Sequence, residues 1–218
     1  MRRAIFFDFD GTLAHTAPDM VAALHRWQAE NNQPPIAPAR AQAAVSGGAR
    51  ALLALAGTHE TDAHYPAAKS RFLSLYEASG YANTALFAGM RQTLCAITAA
   101  DWKWGVATNK PRQYFAPIAE KLSLPTPALV AGDDCAHAKP APDMLLHAAA
   151  LTDAEPRYCC YVGDDVRDSL AAKAAGMRFI LAGWGYWPAS DWQQAESCGG
   201  IAATPLDVLS LARGLISA

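Results

Sequence analysis

The chain has 218 residues, which is enough for one domain or for a domain that carries a smaller insert. Hydrophobic residues make up 52% of it and charged residues 17%, a balance that indicates a globular protein and argues against disorder. The net charge of −2 gives no electrostatic reason to expect nucleic acid or an anionic membrane as a partner.

The first predicted element is a strand over Ala4–Phe9, whose apolar part is short. This apolar part is too short for the apolar region of a signal peptide. No stretch of the sequence approaches the roughly 18 apolar residues that span a bilayer. The five cysteines show no CxxC pair, which favours buried free thiols over disulfides or a metal site. We therefore expect a cytoplasmic protein.

A run of helical patterns follows, from about His15 to Ala85, and it contains no convincing strand. The predicted helices of this run are Pro18–Asn31, Pro38–Ala44, Gly48–Ala56 and Ala63–Ser79. The simplest interpretation is an all-helical cap domain, residues 15–85, inserted after the first strand.

Regular alternation of strands and helices begins after this insert. The predicted strands are Lys103–Thr108, Ala128–Gly132, Tyr158–Gly163 and Arg178–Ala182. The predicted helices are Met90–Ala100, Pro111–Lys121, Pro142–Leu151, Arg167–Ala175 and Pro205–Leu215. Such alternation implies a parallel sheet with helices on both faces. The sequence thus predicts an α/β fold with a doubly wound, Rossmann-like core, residues 1–14 and 86–218, and a helical cap.

The first polar motif, Asp8-Phe9-Asp10-Gly11, comes where the first predicted strand ends. Paired carboxylates can bind a divalent cation such as Mg²⁺ through oxygen ligands, and they can divide the roles of nucleophile and acid/base. For these residues alone, a strand that ends in an ordinary Asp-Gly turn is an equally good interpretation.

Two further motifs follow the next two predicted strands. Thr108 and Asn109 precede a proline at a predicted helix start, where they could donate to an anion or could simply cap the helix. Lys139 precedes another helix and could neutralise a phosphate, although a lysine in such a place is usually a solvated charge. Taken alone, each of these two motifs is a weak signal.

The fourth motif places Asp164, Asp165 and Asp168 within five residues, directly after an apolar strand. Three acids at a strand end repel one another unless a positive charge offsets them. A metal ion is the obvious candidate, although Arg167 could balance one charge and Asp165 could be a helix N-cap. Because the carboxyl ends of parallel strands share one edge of a sheet, we expect all four motifs to meet there.

In order and spacing, these four motifs resemble those of the haloacid dehalogenase superfamily, and the resemblance covers almost the whole predicted core. An aspartate on the first strand is the nucleophile in that superfamily, and Asp8 matches it. Asp10 matches the general acid/base. The resemblance further implies that Mg²⁺ is held by Asp8, by the backbone carbonyl of Asp10 and by Asp164.

The remaining motif residues take supporting roles by the same resemblance. Thr108 matches a catalytic position that stabilises the phosphate, and Asn109 matches a position that binds it. Lys139 matches the lysine that neutralises the phosphate and orients the nucleophile. Asp165 and Asp168 occupy the variable acidic positions and are candidate ligands or neighbours of the metal.

Asp10 also narrows the activity that the resemblance implies. The dehalogenases of the superfamily carry no carboxylate two residues after the nucleophile, whereas its phosphatases and phosphomutases do. We therefore expect a monomeric or homodimeric phosphatase that hydrolyses a small-molecule phosphate ester through an aspartyl-phosphate. A sugar phosphomutase on the same fold is the first alternative, and a non-enzymatic phosphorylated receiver is a more distant one.

More of the sequence is similar to the phosphoglycolate-phosphatase-like enzymes of this superfamily. The segments that carry this similarity are Thr16–Asp19, Val45–Arg50, Val162–Asp168 and Trp184–Tyr186. Ser46–Arg50 is also similar to its counterpart in a bacterial enzyme that acts on N-acetylmuramic acid 6-phosphate. His15 is a departure, because this group often has an acidic residue at that position.

The candidate substrate-binding residues of the cap are Ser46, Gly47, Gly48 and Arg50. The glycines would expose backbone donors at a helix start, and Arg50 could reach a carboxylate of the substrate. A glycine turn followed by a surface arginine is the alternative interpretation. Three aromatic residues could line the pocket or simply pack within the protein: Trp184, Tyr186 and Trp187.

Overall fold

The structure, a computed structural model, describes residues 2–186 and 198–217 of the chain. The chain divides into two compact units: Met1–Ala14 with Leu86–Ala218, and His15–Ala85. Among the residues described, no helix has both the length and the apolar character needed to cross a membrane.

Parallel strands form the centre of the larger unit. In chain order, the strands among the described residues are β1 (Ala4–Phe7), β2 (Ala14–His15), β3 (Ala85–Leu86), β4 (Lys103–Ala107), β5 (Leu129–Val130), β6 (Cys159–Gly163), β7 (Arg178–Ala182) and β8 (Cys198–Ala202). Six of them form one parallel sheet in the order β5-β4-β1-β6-β7-β8, and β2 pairs with β3 in a separate two-stranded sheet. The chain therefore builds outward from β1 in both directions, which is the doubly wound arrangement that the sequence predicts.

Helices lie between the strands along the chain. They are α1 (Ala17–Glu30), α2 (Pro38–Ala43), α3 (Gly48–Leu55), α4 (Tyr65–Glu77), α5 (Met90–Ala99), α6 (Arg112–Lys121), α7 (Asp143–Leu151), α8 (Val166–Ala175) and α9 (Val208–Ser217). Of these, α1 to α4 belong to the smaller unit and α5 to α9 to the larger one. The central strands β1 and β6 are apolar without alternation because both faces of the sheet are covered there, and every residue of β1 is fully buried.

The register of the central strands fixes where the polar motifs lie. Phe7, the last residue of β1, pairs with Val106 of β4 on one side and with Val162 of β6 on the other. The residues that follow these three strands therefore leave the sheet at the same level and on the same edge.

The structure corrects the predicted elements in several places. β1 ends at Phe7, so Asp8 lies just beyond the strand, and β5 has only two residues. β2, β3 and β8 were not predicted, because two-residue strands have no pattern and β8 contains two glycines, which are poor strand formers. Among the cysteines, the thiols of Cys159 and Cys160 are buried as predicted, but the prediction is wrong for Cys95, which is exposed.

A buried carboxylate organises the smaller unit. Asp19, in the first turn of α1, is 1% exposed and accepts hydrogen bonds from the backbone and side chain of Asn83 and from the Thr84 hydroxyl, at 2.7 to 3.2 Å. These bonds tie the start of α1 to the segment just before β3. The two ends of the helical unit are therefore fastened to each other.

Candidate active site

The polar residues that follow β1, β4 and β6 lie together at the carboxyl edge of the sheet. Asp8 continues the pairing for one residue, since its backbone N–H donates to the Val162 carbonyl at 2.8 Å. The Thr108 N–H likewise donates to the Val130 carbonyl at 3.0 Å. The sheet thus delivers the candidate nucleophile and its neighbours on rigid backbone, which is where ligands bind in open α/β sheets.

The ammonium of Lys139 holds this edge together. Its Nζ donates to Asp8 Oδ1, to the Tyr161 hydroxyl and to Asp168 Oδ1, each at 2.7 Å, and the side chain is almost fully buried. An ammonium has three N–H donors, so these contacts use all of them. Lys139 is therefore set to fix and neutralise Asp8, and it could bind a phosphate oxygen only by exchanging one of these partners.

Charges around Lys139 decide its protonation and that of its neighbours. Burial disfavours the ammonium, but the charges and hydrogen bonds of Asp168 and Asp8 outweigh it and raise the pKa of Lys139 above its ordinary value. Burial, reinforced by the charges of Asp8 and Asp168, raises the pKa of Asp164 well above its usual range. Burial raises the pKa of Asp168 as well, against the pull of Lys139. Both carboxyl groups therefore hold a proton more readily than an exposed aspartate does.

Three of these carboxylates fit a metal site. One oxygen each of Asp8, Asp164 and Asp168 lies within 4.8 Å of the other two. When all three are ionised, the single ammonium of Lys139 leaves two of their negative charges uncompensated, and a divalent cation would balance them. Carboxylate oxygens are the ligands that Mg²⁺ prefers. Lys139 holds Asp168, and it binds only one of the two oxygens of Asp8. Asp8 and Asp164 are therefore the better placed metal ligands.

Asp164 is oriented by its surroundings before any ligand arrives. Its Oδ1 accepts from the Thr12 hydroxyl at 3.0 Å and its Oδ2 accepts from the Tyr186 backbone N–H at 2.8 Å. Gly11 makes this approach possible: it has a φ of +83°, and a β-carbon at this position would collide with the Asp164 carboxylate. The Asp-Gly turn after β1 is thus shaped to fit Asp164.

Asp10 does not join the carboxylate cluster. Its side chain is bound by Lys110, whose Nζ lies 3.0 Å from Oδ1 and 3.2 Å from Oδ2. The lysine is 8% exposed. The predicted part of Asp10 in metal binding involves its backbone carbonyl rather than this carboxylate.

Thr108 and Asn109 lie at the end of β4, where the sequence predicts phosphate contacts. The Thr108 hydroxyl accepts from the Lys110 backbone N–H at 3.2 Å, and a hydroxyl that accepts through its oxygen can still donate its hydrogen to an anion. The amide of Asn109 holds the backbone of Lys139, donating to its carbonyl at 3.1 Å and accepting from its N–H at 2.9 Å. Asn109 therefore positions Lys139, and the second N–H of its amide is the donor that its predicted contact with substrate would use.

Asp165 lies outside the carboxylate cluster. Its side chain caps α8 by accepting from the Arg167 N–H at 2.9 Å, and the Arg167 guanidinium binds both of its oxygens at 2.7 and 2.8 Å. Asp168 completes the capping box through its Oδ2, which accepts from the Asp165 N–H at 3.1 Å. Asp168 therefore completes the capping box of α8 and also binds Lys139.

Sequence reasoning missed the part played by Tyr161. Its hydroxyl accepts from Lys139 and donates to the Ala107 carbonyl at 2.6 Å, so it joins the lysine to the end of β4. Burial raises the pKa of Tyr161 well above its ordinary value, which keeps the phenol protonated and able to donate. A tyrosine inside an otherwise apolar buried strand is the signal that could have found it, since a buried hydroxyl needs a partner.

The candidate residues of the smaller unit are at its surface. The Arg50 side chain is 60% exposed, and its Nη1 lies 3.8 Å from a Glu60 oxygen. The backbone N–H groups of Gly47 and Gly48 donate to the carbonyls of Ala44 and Val45. The structure thus corrects the expectation that these two groups are exposed donors.

Four other predicted or noted positions lie among the described residues. Ser46 is half-buried beside these glycines, and His15 is half-buried in β2, where burial lowers its pKa. The Trp184 indole donates to the Thr12 carbonyl at 2.9 Å, and Tyr186 is buried. These two aromatic residues therefore pack against the turn after β1, whereas Trp187 lies outside the described residues.

Comparison with known proteins shows which family the chain resembles. Residues 2–176 match a family described as haloacid dehalogenase-like hydrolase. A phosphoglycolate phosphatase of Xanthomonas campestris is 41% identical over 186 residues, which cover 84% of each chain. An N-acetylmuramic acid 6-phosphate phosphatase of Pseudomonas putida is 35% identical over 187 residues, again 84% of each chain. The crystal structure of a predicted phosphoglycolate phosphatase from Haemophilus somnus, 23% identical, superposes with a TM-score of 0.83 and covers 96% of this chain and 97% of that one.

Replacing Tyr161 by phenylalanine tests the network around Lys139. The variant leaves the buried Ala107 carbonyl without this donor and Lys139 without one acceptor, so we expect unfolding to become about 1–3 kcal/mol easier. Urea unfolding followed by circular dichroism measures the change. Tyr158→Phe, at the half-buried residue directly before β6, is the matched control and should stay within about 0.5 kcal/mol of the parent protein. Equal stability of both variants would contradict this account of Tyr161.

Proposed function

Because this chain belongs to the haloacid dehalogenase-like hydrolases and is a phosphoric monoester hydrolase, we propose that it hydrolyses a small phosphate ester through an aspartyl-phosphate on Asp8, with Mg²⁺ as cofactor. The observation that carries the proposal is the contact of Lys139 Nζ with Asp8 Oδ1 at 2.7 Å, inside a buried cluster of carboxylates. This contact gives one particular carboxylate a fixed direction and a partly neutralised charge.

In the proposed first step, Asp8 attacks phosphorus in line with the ester bond. The bond between phosphorus and the ester oxygen breaks while Asp10 gives that oxygen a proton. Mg²⁺ held by Asp8, the Asp10 carbonyl and Asp164 would supply the positive charge that lets a carboxylate approach a dianionic phosphate. The products of this step are the free alcohol and a phosphorylated Asp8.

In the second step, Asp10 takes a proton from a water molecule, which attacks the phosphorus of the aspartyl-phosphate. Inorganic phosphate leaves, and both carboxylates return to their starting state. Thr108 would donate its hydroxyl hydrogen to an equatorial phosphate oxygen, while its oxygen accepts from the Lys110 N–H. Lys139 keeps Asp8 oriented through both steps, because its bonds to Tyr161 and Asp168 anchor it from the opposite side.

We propose a phosphoglycolate-like ester as the substrate. The support is the 41% identical relative named phosphoglycolate phosphatase. The alternative is N-acetylmuramic acid 6-phosphate, which is supported by the 35% identical relative of that name. We further propose that the helical unit His15–Ala85 acts as a cap and that Ser46, Gly47, Gly48 and Arg50 contribute to substrate recognition, Arg50 through its exposed guanidinium.

Substitution of the nucleophile tests the reaction class. Asp8→Asn should lower phosphate release by at least about a thousandfold for every ester that the parent protein accepts, because an amide cannot form the aspartyl-phosphate. The measurement is phosphate release from a panel that includes phosphoglycolate, N-acetylmuramic acid 6-phosphate and p-nitrophenyl phosphate, with and without Mg²⁺. The same substitution at the exposed turn residue Asp153 is the control and should leave the rate unchanged. Near-native turnover by Asp8→Asn would refute the assignment, and an isomerised sugar phosphate in place of free phosphate would indicate a phosphomutase.

Magnesium binding tests the carboxylate cluster without reference to turnover. At a Mg²⁺ concentration about 100 times its dissociation constant, we expect roughly 2.7 kcal/mol of added stability, seen as a rise in melting temperature. Asp164→Asn should abolish this rise, whereas Asp153→Asn should keep it. Since burial raises the pKa of Asp164, protons compete with the metal for it, and the rise should shrink as the pH falls. A rise that persists unchanged in Asp164→Asn would show that the metal binds elsewhere.

A further inference from the structure

The segment after β7, Trp184–Tyr186, is a sequence motif that the proposed chemical steps do not involve. It leaves the sheet at the same carboxyl edge as the site, because β7 is parallel to β6 and pairs with it as far as Gly163. The Gly185 N–H donates to the Ala182 carbonyl at 3.0 Å, which turns the chain at the strand end. The segment is thereby brought beside Asp164, the first residue after β6.

This segment contacts Asp164 directly. The Tyr186 N–H donates to Asp164 Oδ2 at 2.8 Å, and a β-carbon at Gly185 would collide with the Asp164 side chain. Tyr186 is 5% exposed and Asp164 is 1% exposed, so the contact is closed to bulk water. The backbone of the segment thus fixes one oxygen of the carboxylate at close range.

Trp184 is connected to the other oxygen of Asp164 through Thr12. The Trp184 indole N–H donates to the Thr12 carbonyl at 2.9 Å, and the Thr12 hydroxyl donates to Asp164 Oδ1 at 3.0 Å. Thr12 is fully buried, so loss of the indole would take a donor away from a buried carbonyl and favour movement of the residue. Two successive hydrogen bonds therefore link the indole to the carboxylate.

We propose that Trp184 is a positioning residue for Mg²⁺, because it sets the direction of the Asp164 carboxylate through the Thr12 hydroxyl. The inference rests on the proposed function, in which Asp164 is a ligand of the metal. Mg²⁺ demands nearly ideal octahedral geometry, so its affinity depends on the direction of each ligand oxygen. Removal of a hydrogen-bond partner of a metal ligand typically costs a factor of about 10 to 100 in metal affinity.

The competing explanation is that Trp184 only packs against the turn after β1 and stabilises the fold. In that case Trp184→Phe would lower the melting temperature of the metal-free protein without changing the affinity of the folded protein for Mg²⁺. The dissociation constant separates the explanations, because a loss of stability that is equal with and without the metal does not enter it.

The experiment is a double-mutant cycle on Mg²⁺ binding, measured by calorimetric titration of the metal alone, with no ester present. It uses the parent protein, Trp184→Phe, Thr12→Val and the double variant, each shown to be folded by its metal-free melting transition. We expect Trp184→Phe to weaken Mg²⁺ binding about tenfold and Thr12→Val to weaken it at least as much. Because Trp184 acts through the Thr12 hydroxyl, adding Trp184→Phe to Thr12→Val should weaken binding by less than about threefold more.

Trp104→Phe is the matched control. It makes the same substitution at another buried tryptophan, at the opposite, amino-terminal end of β4. We expect this variant to have a lower melting temperature without metal and the same dissociation constant for Mg²⁺ as the parent protein.

Three results would overturn the inference alone. An unchanged dissociation constant in Trp184→Phe would do so, and it needs only this one conservative variant to fold. Fully additive effects in the double variant would show that Trp184 does not act through Thr12. Equal weakening in Trp104→Phe would show that affinity merely follows stability. A parent protein that binds no Mg²⁺ would instead refute the proposed cofactor, and the inference would fall with it.

Discussion

The buried ammonium of Lys139 is the interaction on which the rest of the site depends. It binds Asp8 after β1, Tyr161 within β6 and Asp168 in the first turn of α8. The Tyr161 hydroxyl in turn donates to the last carbonyl of β4. Elements distant in sequence are thus joined at one positively charged atom. Without it, buried carboxylates would face one another with no protein cation between them, which is strongly destabilising.

The same cluster shows a balance between folding and chemistry. When Asp8, Asp164 and Asp168 are all ionised, Lys139 compensates only one of their charges, and a protein selected for stability alone would not bury the other two. Thr12, the Tyr186 backbone and the close approach at Gly11 nevertheless hold Asp164 against the other two. A site that keeps acids together in this way is prepared for a divalent cation, whose binding would offset their repulsion.

Much of this arrangement follows from the sequence because strong patterns determine it. Apolar runs such as Tyr158–Gly163 alternate with helical periodicity, and this alternation allows only a parallel sheet with helices around it. Because strand ends share an edge, Asp8, Thr108 and Asp164 could be expected at one place without knowledge of their contacts. The structure agrees, with β1, β4 and β6 adjacent and in register at their carboxyl ends.

The side-chain partners could not be predicted, because they join residues far apart in the chain. Lys139 and Asp8 are 131 positions apart and Lys110 and Asp10 are 100 apart, and no local pattern indicates which lysine meets which aspartate. The contact of the Asn109 amide with the backbone of Lys139 likewise joins residues 30 positions apart. The backbone N–H groups of Gly47 and Gly48 donate to carbonyls of their own turn, which no local pattern indicated.

The most direct test of the central claim is to identify the residue that carries the phosphoryl group. Borohydride reduces an acyl phosphate to an alcohol, so an aspartyl-phosphate at Asp8 becomes homoserine. The protein would be mixed with an ester that it hydrolyses, treated with borohydride during turnover, digested and mapped by mass spectrometry. The account predicts homoserine at position 8, formed only when both Mg²⁺ and the ester are present. Continuing turnover with unmodified Asp8, or with modification at Asp10 instead, would contradict it.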